Sequence, residues 1–217
     1  MTLVKICGIR SLDDGRAALA AGATLLGFNF WRPGKRYIAP AEAARLIAAL
    51  RAESADWVPV GVFVDAPPEE VRTIADQCQL EFVQLSGHES AATVAAMPRP
   101  TIKAIHVRTG DEQQAAVLVE TNALGADRYL LDTHADDLPG GTGLAFDWAA
   151  LRPVGPRCLV AGGLRPDNVA TALETLAPFG VDVASGVEDA TGSRKDPRLV
   201  RAFLEAVRTH DRTHTHQ

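Results

Sequence analysis

One pattern restricts this chain more than any other: a short apolar run followed by a longer, Ala-rich amphipathic stretch, repeated eight times. The short runs fall at residues 4–6, 25–28, 58–64, 82–85, 102–107, 129–131, 158–161 and 181–184. The stretches that follow them fall at 12–21, 41–51, 69–77, 90–97, 112–122, 145–151, 167–176 and 197–207. The runs are β-branched or leucine-rich with little polar alternation, as strands buried on both faces require. Strand-then-helix units imply parallel strands joined by helical crossovers. An open doubly wound sheet reads almost identically at this level, but eight units favour closure. At 217 residues each unit takes about 27, a compact form of the ~250-residue eightfold α/β barrel.

Local signals mark the element ends. Ser11-Leu12-Asp13-Asp14 fits a capping box opening the first helix, and Gly22 suits its end. Pro40, Pro67, Pro166 and Pro197 fall at or near first helical positions, where a missing N–H costs little. Asp196 is a good cap for the last helix, whereas Arg165 is a poor one for the helix before it. No low-complexity linker divides the chain. The expected organisation is an α/β single-domain (β/α)8 TIM barrel over residues 1–208. Residues 209–217 lack apolar periodicity, carry His210, His214 and His216, and are expected to be a frayed, solvated tail without a metal role.

Charge and cysteine usage narrow the function. A net charge of −5 argues against a nucleic-acid binder working by phosphate attraction. No run of eighteen apolar residues suggests a membrane span, and the opening segment does not read as a signal peptide. Three cysteines, Cys7, Cys78 and Cys158, suggest reduced thiols in a cytoplasm rather than a disulfide framework.

In such a barrel, chemistry belongs at the C-terminal ends of the strands. Gly162-Gly163 and Ser185-Gly186 follow the seventh and eighth runs, where barrels often bind phosphate. Glycine lets backbone N–H groups approach an anion, and a following helix N-terminus adds positive partial charge. A phosphorylated small molecule is the natural ligand; tight turns alone are the alternative. Cys7, beside Gly8, is either a packed thiol or a thiolate base at the mouth, the latter if a cation or helix terminus assists it. Asp132 is either a loop cap or a catalytic acid–base group. Arg32, Lys35 and Arg36 form either a solvated basic turn or a clamp for a substrate carboxylate. Packing explains Cys78 and Cys158.

Taken together, these motifs resemble the phosphoribosylanthranilate isomerase family over nearly the full chain. The matching segments are Lys5-Ile6-Cys7-Gly8-Ile9, Arg36-Tyr37-Ile38, Val60-Gly61-Val62-Phe63-Val64, Val83-Gln84-Leu85 and Leu131-Asp132-Thr133. Further along come Gly140-Gly141-Thr142-Gly143 with Phe146-Asp147-Trp148, Ala161-Gly162-Gly163-Leu164 and Ser185-Gly186-Val187-Glu188. The resemblance implies a cofactor-independent Amadori rearrangement of N-(5-phosphoribosyl)anthranilate to 1-(2-carboxyphenylamino)-1-deoxyribulose 5-phosphate in tryptophan biosynthesis. It implies Cys7 as general base, Asp132 as general acid and Arg36 near the anthranilate carboxylate. It also implies Gly162, Gly163, Ser185 and Gly186 as the phosphate cradle, with Gly141 in a mobile loop shaping the mouth.

Several positions depart from the family pattern. Ser86 stands where histidine usually follows Gln-Leu, with His88 two residues later. Arg32-Pro33-Gly34-Lys35-Arg36 replaces Pro-Lys-Ser-Pro-Arg, Ala184 replaces a common serine, and Thr191-Gly192 replaces Pro-Gly. Two other readings compete. A barrel such as indole-glycerol-phosphate synthase wants a lysine acid at a strand end, whereas Lys5 and Lys103 fall inside strands here and Lys35 and Lys195 in loops. A non-catalytic sugar-phosphate-binding barrel needs the glycine loops but not the Cys7/Asp132 pair. Monomer and homodimer are both open.

Overall fold

The structure, a computed structural model, describes residues 1–108, 110–133 and 148–214. Eight parallel strands close into a barrel in chain order. They are β1 (Leu3–Cys7), β2 (Leu25–Asn29), β3 (Val58–Phe63), β4 (Phe82–Leu85), β5 (Thr101–Val107), β6 (Arg128–Thr133), β7 (Cys158–Ala161) and β8 (Gly180–Val183). β8 pairs back onto β1, so no strand edge is left open.

Helices α1 (Leu12–Ala21), α2 (Pro40–Glu53), α3 (Pro68–Cys78), α4 (Ala91–Ala95), α5 (Glu112–Glu120), α6 (Val169–Leu176) and α7 (Pro197–His214) connect the strands. Their ends have local causes. The Ser11 hydroxyl accepts the Asp14 N–H at 3.1 Å, and Gly22 ends α1 in the left-handed conformation. The reciprocal half of the expected capping box is not made: Asp14 Oδ1 instead accepts the N–H of distant Lys195 at 3.2 Å. Pro40 and Pro197 open their helices, while Pro67 caps α3 and Pro68 takes its first position. Asp196 Oδ1 accepts the Arg198 N–H at 2.8 Å. Pro166 stands apart, because α6 begins three residues later behind Asn168, whose Oδ1 accepts the Arg165 N–H at 2.7 Å.

The sixth unit differs from the pattern. A helical stretch is expected over 145–151; residues 145–147 lie outside the described residues, and Trp148–Arg157 forms a 3₁₀ segment. Pro153 and Pro156 lack the N–H groups that an α-helix would use there.

The pleat divides the strands' side chains into two sets. Leu25, Val60, Ile102, Ala104, Leu130, Leu159 and Ala161 point inward and form the apolar filling of the barrel. Ile6, Leu26, Phe28, Val83, Leu131 and Val160 point outward against Ile47, Leu50, Val71, Val119, Leu173 and Phe203 of the helices. Each such fully buried side chain contributes about 1.5–3 kcal/mol relative to exposure.

The chain's end corrects an expectation. Helix α7 continues to His214, so residues 209–214 are helical rather than frayed; residues 215–217, with His216, lie outside the described residues. The buried face of Val200, Phe203, Leu204 and Val207 anchors the helix. Asp211 then ties its last turns to the N-terminus: its carboxylate accepts the Thr2 N–H and the Thr2 hydroxyl, each at 2.7 Å. Replacing Asp211 by Ala should remove about 1–2 kcal/mol. Thermal melts should show a Tm lower by roughly 2–8 °C at neutral pH. An unchanged Tm would show that the clamp does not stabilise the fold.

Candidate active site

The alternation that fills the lower barrel with apolar side chains places polar ones at its C-terminal end. On β1, Lys5 and Cys7 share the inward parity, and the register sets Lys5 beside Asp182 of β8 and Cys7 beside Gly27 of β2. On β5 and β6, His106 and Asp132 are register partners. A cavity of about 510 Å³ opens here. Its lining includes Cys7, Asn29, Arg36, Gln84, Ser86, Asp132, Gly162, Gly163, Asp182 and Ser185.

Most of the residues expected to act together therefore meet in one place. Gly186 is not among those lining the cavity: it packs against the Leu164 carbonyl so tightly that no side chain fits, which locks the seventh and eighth strand-end loops together. Gly141 and the rest of the 140–143 loop lie outside the described residues. Gly162 and Gly163 adopt φ of 89° and 64°, a conformation that favours glycine. Neither loop leads directly into an α-helix, contrary to expectation. A turn and Asn168 precede α6, and a 3₁₀ turn at Ser185–Val187 follows β8.

The cation beside Cys7 is Lys5, which the sequence offers only as a strand residue. Lys5 Nζ lies 3.0 Å from Asp182 Oδ1 in a fully buried position. A Cβ at Gly27 would lie 2.9 Å from Cys7 Sγ and 3.0 Å from Lys5 Nζ, so this glycine leaves the space in which the two side chains meet. Burial pulls the Lys5 pKa down, but the Asp182 carboxylate and the Cys7 sulfur more than offset it and hold it above its ordinary value. Lys5 is therefore an ammonium at neutral pH. Burial pushes the other two thiols up, Cys78 to about 11 and Cys158 to about 12, so both stay protonated packing residues.

Arg36 is held by Glu188. Its Nε and Nη2 donate to the two carboxylate oxygens at 2.5 and 3.0 Å. Gly8, at φ 81°, has no side chain to obstruct the Arg36 stem. Lys195 Nζ reaches Glu188 at 3.1 Å and the Ala184 carbonyl at 3.0 Å, and Lys35 lies 3.8 Å from the same carboxylate. Burial opposes ionisation of Glu188, but Arg36 and Lys195 hold its pKa below the usual carboxylate range. The Arg36 fork is thus occupied on one edge, leaving its other N–H groups for a second anion.

Asp132 is partly exposed at the opposite wall. Its Oδ2 lies 3.6 Å from Nδ1 of His106, whose Nε2 is 3.0 Å from the Ser86 carbonyl oxygen. Lys5, Asp182, His106 and the anchoring role of Glu188 were not singled out by sequence reasoning. Period-two parity counted from Cys7 was the available signal for Lys5; the other partners depend on strand register.

The family model for N-(5′-phosphoribosyl)anthranilate isomerase matches residues 4–206. The chain belongs to the phosphoribosylanthranilate isomerase family. An N-(5′-phosphoribosyl)anthranilate isomerase from Geobacter sp. (strain M21) is 46% identical over 208 residues, 94% of this chain and 97% of that protein. The crystal structure of the phosphoribosylanthranilate isomerase from Thermotoga maritima superposes with a TM-score of 0.84 at 34% identity, covering 96% of this chain and 100% of that one. A phosphoribosylanthranilate isomerase crystallised with reduced 1-(o-carboxyphenylamino)-1-deoxyribulose 5-phosphate gives a TM-score of 0.81 at 33% identity, covering 96% of this chain and 100% of that one. Among the described residues, no helix is long and apolar enough to cross a membrane.

The Glu188 cluster yields a prediction within this family fold. Glu188→Gln leaves Arg36 and Lys195 without their buried counter-charge, which should cost about 3 kcal/mol at neutral pH. Because the folded-state pKa of Glu188 is depressed, its stabilisation is present above the unfolded value and lost as pH falls through the folded one. Melting curves from neutral to acid pH should show the gap between variant and wild type narrowing as pH falls below about 4.3. A gap independent of pH would contradict the proposed ion-pair origin.

Proposed function

We propose that this chain catalyses the Amadori rearrangement of N-(5′-phosphoribosyl)anthranilate to 1-(2-carboxyphenylamino)-1-deoxyribulose 5-phosphate in tryptophan biosynthesis, with Cys7 as general base and Asp132 as general acid. The observation that carries this reading is the placement of both groups on the wall of one cavity.

The chemistry asks for two proton transfers from opposite sides of a sugar. Asp132, protonated, gives its proton to the ribose ring oxygen as the bond to C1 breaks, and the anthranilate nitrogen forms a Schiff base with C1. Cys7, as thiolate, then removes the proton on C2. The C–H electron pair becomes the C1–C2 double bond of an enolamine, and the C1=N π electrons become the nitrogen's lone pair, which cancels its positive charge. The enolamine loses its hydroxyl proton and gains one at C1 to give the ketone. The Lys5 ammonium gives the Cys7 thiolate a buried counter-ion and the developing charge a fixed partner. Gly162, Gly163 and Ser185 offer a cradle for the phosphate at one end of the cavity, with Gly186 shaping the loop behind it. Arg36, oriented by Glu188, presents its remaining N–H groups to the anthranilate carboxylate.

Cys7→Ser and Asp132→Asn should each lower kcat by about a hundredfold or more. Calorimetric affinity for the reduced product analogue should stay within a few-fold of wild type. Near-normal turnover in either variant would remove that residue from its role. Binding of the analogue by the wild type without any turnover of freshly made phosphoribosylanthranilate would instead support a sugar-phosphate-binding barrel.

A further inference from the structure

We propose that His106 is a positioning residue for Asp132 that also returns the proton Asp132 gives up in each turnover. The inference rests on the reading of Asp132 as general acid. It starts from the register: His106 and Asp132 are paired on adjoining parallel strands at the mouth of the barrel. His106 Nε2 lies 3.0 Å from the Ser86 carbonyl oxygen. A carbonyl only accepts, so Nε2 is the nitrogen that keeps its hydrogen in the neutral ring. Nδ1, 3.6 Å from Asp132 Oδ2, is the nitrogen that faces the carboxyl group.

The proton balance of the reaction gives this nitrogen a task. When the ring opens, the Asp132 O–H bond breaks and the ring-oxygen O–H bond forms. When the enolamine forms, the C2–H bond breaks and an S–H bond forms on Cys7. Tautomerisation removes one proton from oxygen and places one on carbon. At the end of a cycle Asp132 is one proton short and Cys7 holds one too many, on the opposite wall. An imidazolium at Nδ1 restores Asp132, then takes a new proton from water, while Cys7 releases its own. The His106 side chain is 37% exposed and so has access to solvent. A separation of 3.6 Å is long for direct transfer; it suits the closer approach of a substrate-bound state.

Among the described residues, two neighbouring charged groups have partners of their own. Lys103 of β5 is buried against Glu89 at 2.9 Å, and His88 beyond β4 faces Asp65 at 3.7 Å. Among the described residues lining the cavity beside Asp132, the other charged groups and thiols are Arg36, bound to Glu188, Asp182, bound to Lys5, and Cys7.

The test is His106→Gln, whose amide nitrogen can still reach the Ser86 carbonyl but cannot titrate. Expected results are a kcat at least about tenfold lower, KM within about twofold and an unchanged Tm. The pH profile of kcat should differ from that of the wild type, and added imidazole buffer should restore rate. Wild-type kcat with an unaltered pH profile would overturn the proposal. So would a rate loss that imidazole does not rescue and that comes with a proportionate rise in KM or fall in Tm. Asp132→Asn measured alongside separates the two readings. If it remains active, the general-acid assignment fails; if it is inactive while His106→Gln behaves as wild type, only the role of His106 fails.

Discussion

In a closed parallel barrel, a strand bonded along both edges can send only every second side chain inside. That constraint organises the molecule from floor to mouth. Along β1 the inward sequence is Leu3, Lys5, Cys7; along β5 it is Ile102, Ala104, His106; along β6, Leu130 then Asp132. The lower positions pack as hydrocarbon, and the upper ones bring a thiol and a carboxylate to one opening, with an imidazole on the strand beside the carboxylate. A one-residue slip of β1 would exchange Cys7 for Ile6 and put the thiol among the helices.

The interior nevertheless contains charge, and charge taken out of water is costly unless paired. The chain answers with buried ion pairs. Lys5 meets Asp182, Lys103 meets Glu89, and Glu188 gathers Arg36 and Lys195. The first lies inside the barrel and points at the cavity. The second lies on the outward parity of β5, where Lys103 also donates to the carbonyls of Leu85 and Gly87 and so braces the strand end after β4. The third joins the loops after β2 and β8. Lys5 and Asp182 lie 177 residues apart and Arg36 and Glu188 lie 152 apart, so the electrostatics of the mouth and the closure of the barrel are not separable.

Much of the fold was legible because it depends on local pattern. The eight strand positions follow from short apolar runs, and Ser11, Gly22, Pro40 and Asp196 mark helix ends through interactions within a few residues. Cys7, Asp132 and the Gly162-Gly163 loop could be found because strand ends are where a barrel keeps its chemistry. Their partners were not legible in the same way. Lys5 and Asp182 are separated by 177 residues and Arg36 and Glu188 by 152, and only strand register and loop packing bring them together. In the sixth unit Trp148–Arg157 is a 3₁₀ segment, and Pro153 and Pro156 within it lack the N–H groups that an α-helix would use. The last helix outran its apolar stripe because a single carboxylate, Asp211, found Thr2.

Register also bears on the departure at Ser86. The family pattern resembled by this chain carries a histidine directly after Gln84-Leu85, where this chain has serine. A residue just beyond the end of β4 and one near the end of β5 are neighbours at the same rim, since β4 and β5 pair side by side. Here the imidazole comes from His106 of β5 and reaches back to the Ser86 carbonyl. Serine keeps its backbone acceptor and has no ring to occupy the space, while its hydroxyl accepts from the Gln84 amide at 3.1 Å. The strand-end geometry therefore allows an imidazole to be supplied from either strand. From β5 it faces the carboxyl of Asp132, because β5 and not β4 is the register partner of β6.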